Sequence, residues 1–179
     1  AQIPVYTYDE TLADLQFEHY LDPNDTELWA VWIPADNTYK IEYYFENVDG
    51  TYSLNEDKTA DKIGKTDSTA NYELLPVEEV VGFEFFPDHE GSVLSANIDP
   101  AGDMVLKVYY KRIWYDVIVN YDIGIEYVRV AAGANSTVEE ETTGKIVVKV
   151  KFGANVTVSY KENPGYTFVE YVESAGGAR

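Results

Sequence analysis

Alternating residues over positions 39–46 constrain the fold more than any other feature of the chain. The odd positions from 39 to 45 have Tyr, Ile, Tyr and Phe, whereas the even positions from 40 to 46 have Lys, Glu, Tyr and Glu. This period of two is typical of a β-strand with one buried face. Residues 47–50 follow with Asp-Gly, which supplies the positive φ of a tight turn. We therefore predict a hairpin that returns through residues 51–54.

The composition extends this prediction to the whole chain. Tyrosine occurs 16 times in the 179 residues, and tyrosine, valine, isoleucine and threonine suit a pleated, half-exposed surface. Cysteine is absent, which excludes disulfides and thiolate metal sites. A cysteine-free secreted chain fits a bacterial surface protein better than a small eukaryotic module. The composition predicts a mainly β protein.

The charge balance excludes several classes of partner. The chain has 32 acidic and 13 basic side chains, a formal charge of −19, which repels phosphate backbones and anionic lipid headgroups. No apolar run approaches the roughly 20 residues of a membrane span, and residues 1–4 lack a signal pattern. We expect no nucleic-acid partner and no direct membrane insertion. Solubility explains the acidity, with cation binding as the alternative.

Three stretches of the chain have related patterns. Residues 1–38 contain a buried strand at 28–33 and a linker at 34–37, and are predicted to be a partial or degenerate unit. Residues 39–113 are the best-defined unit.

The best-defined unit continues after its hairpin with a polar segment over residues 55–68, in which Gly64 is expected to be a break. A Gly-aromatic strand at 82–86 and a strand at 92–98 follow. A closing strand at 104–111 is expected in the interior of a sheet, and its pairing with residues 39–46 is a hypothesis.

Residues 114–179 repeat the opening alternation. Tyr115, Val117, Val119 and Tyr121 take the place of the odd positions from 39 to 45. Further strands are predicted at 125–130, 145–152 and 155–160, and residues 163–168 repeat the Gly-aromatic motif. No strand comparable to 104–111 follows, so this unit is expected to be truncated or to close differently. The repetition predicts a tandem array of small units that bury modest cores.

Short stretches in all three units are similar to repeat modules of bacterial surface proteins. The matching residues are 28–32, 41–44, 108–110 and 163–171. They resemble the Listeria-Bacteroides repeat, the internalin-type B repeat and mucin-binding-protein-like modules. The resemblance implies β-grasp-like modules, with room for short helices, in secreted or wall-attached proteins. It implies no shared catalytic residue. The first unit lacks the Gly-aromatic pair at 14–17, and the third lacks the closing strand.

The candidate chemical sites are few. His19 and His89 lie in different units without a nearby nucleophile and orienting acid, so we expect them at the surface rather than in catalysis. Asp88, His89 and Glu90 are adjacent, and successive strand residues point to opposite faces, which disfavours a shared metal. Residues 22–27 have oxygen ligands at alternate positions but lack the glycine and distal glutamate of an EF-hand. We predict no catalytic, cofactor or metal site.

Other polar features have simple interpretations. Residues 139–141 are three glutamates, which suit a solvated edge that resists strand aggregation. Asn24, Asn135 and Asn155 begin glycosylation sequons, a pattern short enough to arise by chance. An isopeptide bond between a lysine and an asparagine or aspartate, beside a buried acid, is an open alternative to disulfides.

Exposed aromatic residues are the remaining candidates for binding. Tyr44, Tyr109 and Trp29 fall on the outward side of their strands, where rings stack on sugars or fill a partner's pocket. The alternative, which we favour, is that they pack one module against the next.

These observations predict a non-enzymatic repeat segment of a bacterial secreted or cell-wall-attached surface protein, which acts as a stalk, spacer or adhesion module. Its expected partners are neighbouring repeat modules, and a host glycan, mucin or protein is the alternative. A further alternative is an accessory module of a secreted polysaccharide-active enzyme. If the modules are separate, proteases should cut at 34–38 and 112–114.

Overall fold

The computed structural model describes residues 33–131 and 136–170, excluding the side chains of residues 139 and 140. The chain divides into two units, Ala1–Ile33 and Pro34–Arg179. Several predictions therefore fall outside the described residues. They are the strand at 28–33 (apart from Ile33), the polar loop at 22–27, and the assignments to His19, Asn24, Trp29 and Asn135.

The described chain is mainly β, as the composition predicted. Its strands are β1 (Asp36–Glu46), β2 (Tyr52–Leu54), β3 (Ala60–Lys65), β4 (Thr69–Asn71), β5 (Phe83–Phe85), β6 (Ser95–Asn97), β7 (Val105–Arg112), β8 (Trp114–Asn120), β9 (Ile125–Ala131), β10 (Ser136–Thr142), β11 (Lys145–Lys151) and β12 (Thr157–Glu162). The helical segments in this part are two 3-10 turns, Glu56–Lys58 and Val77–Glu79. No helix among the described residues is long and apolar enough to cross a membrane.

The strands β1 to β7 form the first β region, residues 36–112. Its main sheet has the order β2-β1-β7-β5, and β3 also pairs with β1. β1 and β7 are parallel, in register from Lys40 opposite Val105 to Phe45 opposite Tyr110. The hypothesis that the closing strand pairs with the opening one is confirmed. The connection between them contains short strands and 3-10 turns in the place where a parallel crossover usually has a helix.

The opening hairpin also forms as predicted. Tyr44 lies opposite Leu54 in the antiparallel β1–β2 pair, and Gly50 has φ of 87°. The Asp49 carboxylate accepts hydrogen bonds from the amide and the hydroxyl of Thr51. These bonds hold the pKa of Asp49 below its ordinary value. The turn is therefore specified by local chemistry.

The core of the first β region lies beneath the parallel pair. Ile41, Leu106 and Val108 are fully buried, and the phenols of Tyr43 and Tyr110 reach the loop that follows β4. The hydroxyl of Tyr43 donates to the Glu73 carbonyl, and that of Tyr110 accepts from the Leu75 amide. The inward side of the alternation is thus buried as expected.

Two boundary predictions are wrong. Gly64 does not break the chain, because β3 continues through it and places it opposite Asn37. A larger residue there would require the Ile98 side chain to move, since a Cβ would lie 2.4 Å from Cδ1 of Ile98. The linker predicted at 34–37 is also partly strand, because Asp36 pairs with Lys65 at the start of β1.

The strands β8 to β12 form the second β region, residues 114–162. A three-stranded antiparallel sheet, β10-β11-β8, packs with the two-stranded sheet β12-β9. Val128, Ile146, Val148 and Val150 form its buried core, with Val117, Val119 and Tyr121 packed against them. The alternation of β8 is therefore confirmed for three of its four positions. Tyr115 remains 45% exposed.

The second β region does not repeat the sheet of the first. β8 pairs with β11 in an antiparallel arrangement, whereas β1 pairs with β7 in a parallel one. The Gly-aromatic motif at 163–168 does not form a strand as its counterpart at 82–86 does, because residues 163–170 form a turn followed by an irregular segment. The Tyr166 amide donates to the Asn163 carbonyl, and the Phe168 amide donates to the Glu162 carboxylate. Local bonds replace a sheet ladder in this motif.

Candidate functional site at the joint between the two regions

A single residue, Ile113, separates β7 from β8. Its amide donates to the carbonyl of Gly82 at 3.0 Å, and its carbonyl accepts from the amide of Phe152 at 2.9 Å. The first region therefore binds the amide of Ile113, and the second region binds its carbonyl. Cleavage at 112–114 stays a prediction, in a segment whose central residue is hydrogen-bonded to both regions.

Glu46 lies at the centre of this contact. It is on the outward side of β1, yet only 9% of it is exposed. Its Oε1 accepts from Lys151 Nζ at 2.5 Å, and its Oε2 accepts from the Arg112 amide at 2.7 Å. The side chains of Lys151 and Glu46 are 13% and 10% exposed. This ion pair thus joins β1 of the first region to β11 of the second.

Arg112 completes the polar contact. Its Nε donates to the Glu46 carbonyl at 2.7 Å, and its Nη1 donates to the Phe152 carbonyl at 2.6 Å. The guanidinium also lies 4.9 Å from the ring centroid of Phe83. One side chain therefore contacts both regions through charge-assisted bonds, which are stronger than neutral ones.

Aromatic packing covers the polar contact. The ring of Phe152 meets Phe83 edge-on, with 6.0 Å between centroids, and lies directly over Gly82. A Cβ at Gly82 would be 2.1 Å from that ring, and its φ of 82° also favours glycine. Lys151 Nζ lies 5.5 Å from the ring centroid of Trp114. We call this arrangement of Glu46, Gly82, Phe83, Arg112, Ile113, Trp114, Lys151 and Phe152 the joint.

The chemistry of the joint is that of a fixed contact. Removing one partner from a buried ion pair leaves an uncompensated charge, so the pair favours one relative arrangement of the groups that hold it. Among the described residues, no buried side-chain nitrogen or oxygen lacks a hydrogen-bond partner. The joint can therefore orient the two β regions relative to each other.

The sequence did not identify this site. Glu46 was expected to point outward from β1, and neither Arg112 nor Lys151 was singled out. The bonds from Glu46 to Arg112 and Lys151 span 66 and 105 residues, and no local pattern indicates contacts of that separation. The positive φ and close ring at Gly82 are compatible with the Gly-aromatic motif, which was the one available signal.

His89 is placed as a packed side chain at the rim of the sheet. Its ring stacks on Tyr109, with 3.7 Å between centroids and 13° between planes, and its Nδ1 accepts from the Gly91 amide at 3.0 Å. Across the described residues, no group of three or more histidine, aspartate or glutamate side chains is arranged to hold a metal.

The predicted binding aromatics pack against each other. Tyr44 and Tyr109 are stacked with 4.8 Å between centroids, and Tyr52 meets Tyr109 edge-on. Tyr109 is only 8% exposed, so its predicted exposure is wrong. Its partners lie within the first region, and its packing against another module is not what buries it.

Burial perturbs the tyrosines of this cluster. Burial, followed by the hydrogen bond to Glu42, raises the pKa of Tyr44 to about 12. Burial, followed by the charge of Glu46, raises the pKa of Tyr52 to about 12. Burial also raises the pKa of Tyr43 on the core face to about 12. The phenols therefore stay protonated and neutral over a wide pH range.

The remaining candidates have structural positions. The segment 139–141 lies in β10, which is an edge strand of its sheet and contains a register shift between Val138 and Glu140. A bulge and charge on an edge both oppose strand addition. Asn155 is exposed. Lys151 is a buried lysine beside a carboxylate, but it forms an ion pair with Glu46. The isopeptide bond stays an open alternative, which a measurement of the intact mass would test.

The open clefts of the described part include the following two. One, of about 390 Å³, lies beside the joint and includes Glu46, Glu56, Asp57 and Arg112 in its lining. The other, of about 840 Å³, lies at the far end of the second region between residues 121–126 and 141–144, with Asn163. Ligand sites usually combine a mostly apolar lining with a few polar groups, which neither cleft offers.

Comparisons with known proteins add no family assignment. No protein-family model matches the chain, and searches of curated proteins and of solved structures return no match.

Proposed function

We propose that this chain is a non-enzymatic spacer segment of a bacterial secreted or wall-attached surface protein. Residues 39–113 and 114–179 would be successive small β modules that hold a neighbouring part of the protein at a fixed orientation. The joint is the observation that supports this proposal. A spacer transmits orientation only if its modules do not pivot about each other. At the joint, hydrogen bonds connect the two modules through the backbone and side-chain groups of Glu46, Arg112, Ile113, Lys151 and Phe152.

The strand order supports the β-grasp part of the proposal for the first module. Two parallel strands, β1 and β7, lie at the centre of the main sheet, with the hairpin strand β2 on one side and β5 on the other. A β-grasp sheet has the same central parallel pair between antiparallel neighbours. The short strands and 3-10 turns of the crossover stand in place of its helix. The second module has a different sheet, so the repeat assignment there rests on sequence resemblance.

A distance measurement between the two regions tests the fixed joint. The chain has no cysteine, so spin labels can be attached only where cysteines are introduced. Asp57 and Asn120 are exposed and lie in different regions. In the D57C/N120C protein we expect a narrow distance distribution that broadens when Glu46→Ala is added. Glu84→Ala is the matched control, because Glu84 forms an exposed ion pair with Lys111 beside the joint.

A broad distribution in the unaltered joint would contradict the spacer role. The surface location has a separate test, in which antibodies against the purified chain label intact cells of the source organism. Labelling only after lysis would overturn that location.

A second candidate function is binding to a glycan, mucin or host protein, with an accessory role beside a polysaccharide-active enzyme as a variant. The residues that favour it are not Tyr44 and Tyr109. They are Tyr160 in β12 and, in the segment that follows β12, Tyr166 and Phe168, which are 42%, 49% and 39% exposed. Saturable binding of soluble mucin glycans that is lost in Tyr160→Ala and Phe168→Ala would favour this function over a simple spacer.

A further inference from the structure

The chain enters and leaves the first β region through two paired strands. It enters at Asp36, where β1 begins, and leaves at Arg112, where β7 ends. β1 and β7 are parallel neighbours in the centre of the sheet. Tension along the chain therefore pulls the start of one strand away from the end of the other, and the two strands are loaded along their length.

Loading along the strands differs from loading across them. When two strands are pulled past each other, the hydrogen bonds between them share the force and must break together. When they are pulled apart from one end, the bonds break one after another. The parallel ladder has evenly spaced bonds, and its six registered pairs run from Lys40 and Val105 to Phe45 and Tyr110.

Side chains reinforce this ladder on both faces. On the outer face, Tyr44 and its registered partner Tyr109 are stacked at 4.8 Å and 11°. On the core face, the next pair, Phe45 and Tyr110, is stacked at 5.2 Å and 12°. Sliding of β1 along β7 would separate both stacks at once.

The joint stabilises the end of the ladder at which the chain leaves the first region. There the Arg112 amide and Nε are bonded to the carboxylate and the carbonyl of Glu46. These bonds tie the last residue of β7 to the last residue of β1.

The second region lacks this arrangement. Its entry strand, β8, pairs with β11, and the last strand described in it, β12, pairs with β9. In the described pairings no ladder joins these two strands directly. All residues of β12 are exposed, so the packing of this strand adds little resistance to unfolding under tension.

We infer that the β1–β7 pair is a force-bearing element, which lets the first region stay folded under tension applied along the chain. This deepens the proposed spacer function and rests on it, because resistance to tension matters for a segment that connects a surface to what it presents. Forced unfolding depends on the unfolding rate under load rather than on equilibrium stability alone. The direction of pulling is therefore the decisive variable.

The test is single-molecule force spectroscopy of the full chain with handles on two introduced cysteines. In T38C/K111C the handles are near the start of β1 and the end of β7, so the pair is sheared. In T38C/D103C both handles are at the same end of the pair, so the strands are peeled apart. Thr38 and Asp103 are exposed, and the Lys111 side chain is 42% exposed. We expect a several-fold larger unfolding force for the sheared protein, and equal forces would overturn the inference.

A second comparison uses the aromatic stacks. Tyr44→Ala removes a stack that spans β1 and β7, so it should lower the ratio of shearing to peeling force. Tyr72→Ala removes a stack with Phe85 at 5.2 Å that does not span this pair, and it should leave the ratio unchanged. The same ratio in both variants would contradict a role for the stacks across β1 and β7. Surface labelling and the spin-label distances do not depend on these forces, so failure of this inference is distinguishable from failure of the spacer proposal.

Discussion

The two β regions begin with similar alternating strands but bury them to different degrees. Ile41 and Tyr43 in β1 are buried, whereas Val117 and Val119 at the corresponding positions of β8 are only half-buried. β1 has partners on both edges, including β7, and a layer formed by the crossover segment beneath it. β8 is an edge strand of three, paired only with β11 among the described strands. Alternation therefore specifies which face is apolar, and neighbouring strands decide how completely that face is covered.

The ion pair inside the second region and the ion pair at the joint differ in their exposure to water. Lys161 and Glu126 in the second region are 2.7 Å apart with side chains 56% and 45% exposed. Lys151 and Glu46 at the joint are similarly close but almost fully covered. The same pair of residue types thus forms a solvated surface contact in one place and a buried contact between regions in the other.

The largest expected difference between the two regions is in their stability at high pH. The pKa values of Tyr43, Tyr44 and Tyr52 are each raised from 10.0 to about 12, and all three lie in the first region. A raised folded pKa gives stability that is fully present below pH 10 and is lost as the pH rises through 12. We expect the first region to unfold within this window, as measured by near-UV circular dichroism and phenolate absorbance.

The control for this prediction is the double variant Y44F/Y52F. It removes two of the ionising groups, so its alkaline midpoint should lie at higher pH. An unchanged midpoint would show that other groups control the transition.

Core truncation is expected to have the next largest effect. Tyr110→Ala should lower the unfolding free energy of the first region by about 4 kcal/mol, because it leaves a large cavity and an unpaired Leu75 amide. Val148→Ala in the second region removes less buried surface and should cost about 2 kcal/mol. Hydrogen exchange resolved by peptide measures each region separately. Equal losses would contradict the difference between the two cores.

Loss of the ion pair at the joint is expected to have the next largest effect on the unfolding free energy. Glu46→Ala leaves Lys151 and the Arg112 amide without their partner and should lower the unfolding free energy by about 3 kcal/mol. In this variant, amide hydrogen exchange should become faster in both regions, since Glu46 contacts both.

Two variants calibrate this effect. Glu46→Gln keeps an acceptor for the Arg112 amide and should lose less than Glu46→Ala. Glu126→Ala breaks the exposed pair with Lys161 and should leave the unfolding free energy almost unchanged, because water and salt screen such a pair. If Glu46→Ala cost no more than Glu126→Ala, the joint would not be a stabilising contact.

The smallest expected difference is between two glycines in corresponding motifs. Gly82 and Gly165 have φ of 82° and 90°, but a Cβ would meet Phe152 at 2.1 Å only at Gly82, with nothing within 4 Å at Gly165. Gly165→Ala should cost about 1 kcal/mol of backbone strain. Gly82→Ala should cost about 1 to 2 kcal/mol more, as measured by urea unfolding. Equal costs would mean that Phe152 moves away freely.

Local patterns were sufficient for most strands of the described chain. The hairpin after β1 follows from alternation and an Asp-Gly turn, and the turn before β7 follows from 99–103, where the Gly102 amide donates to the Asp99 carbonyl. β3 through Gly64 and the irregular segment at 163–170 were not predicted. The tight fit of Ile98 at Gly64 is a packing relation, and a motif at 163–168 becomes a strand only if a partner strand lies beside it.

The sequence by itself determined the mainly β character, the apolar face of β1 and β8, and the positions of the turns, because strand alternation and positive-φ glycines act over a few residues. Tertiary structure decided that β1 and β7 are parallel partners, that Tyr44 and Tyr109 stack on each other, and that Glu46 becomes buried between Arg112 and Lys151. Those outcomes depend on contacts between residues that are distant along the chain, and alternation specifies a face but not the strand that will cover it.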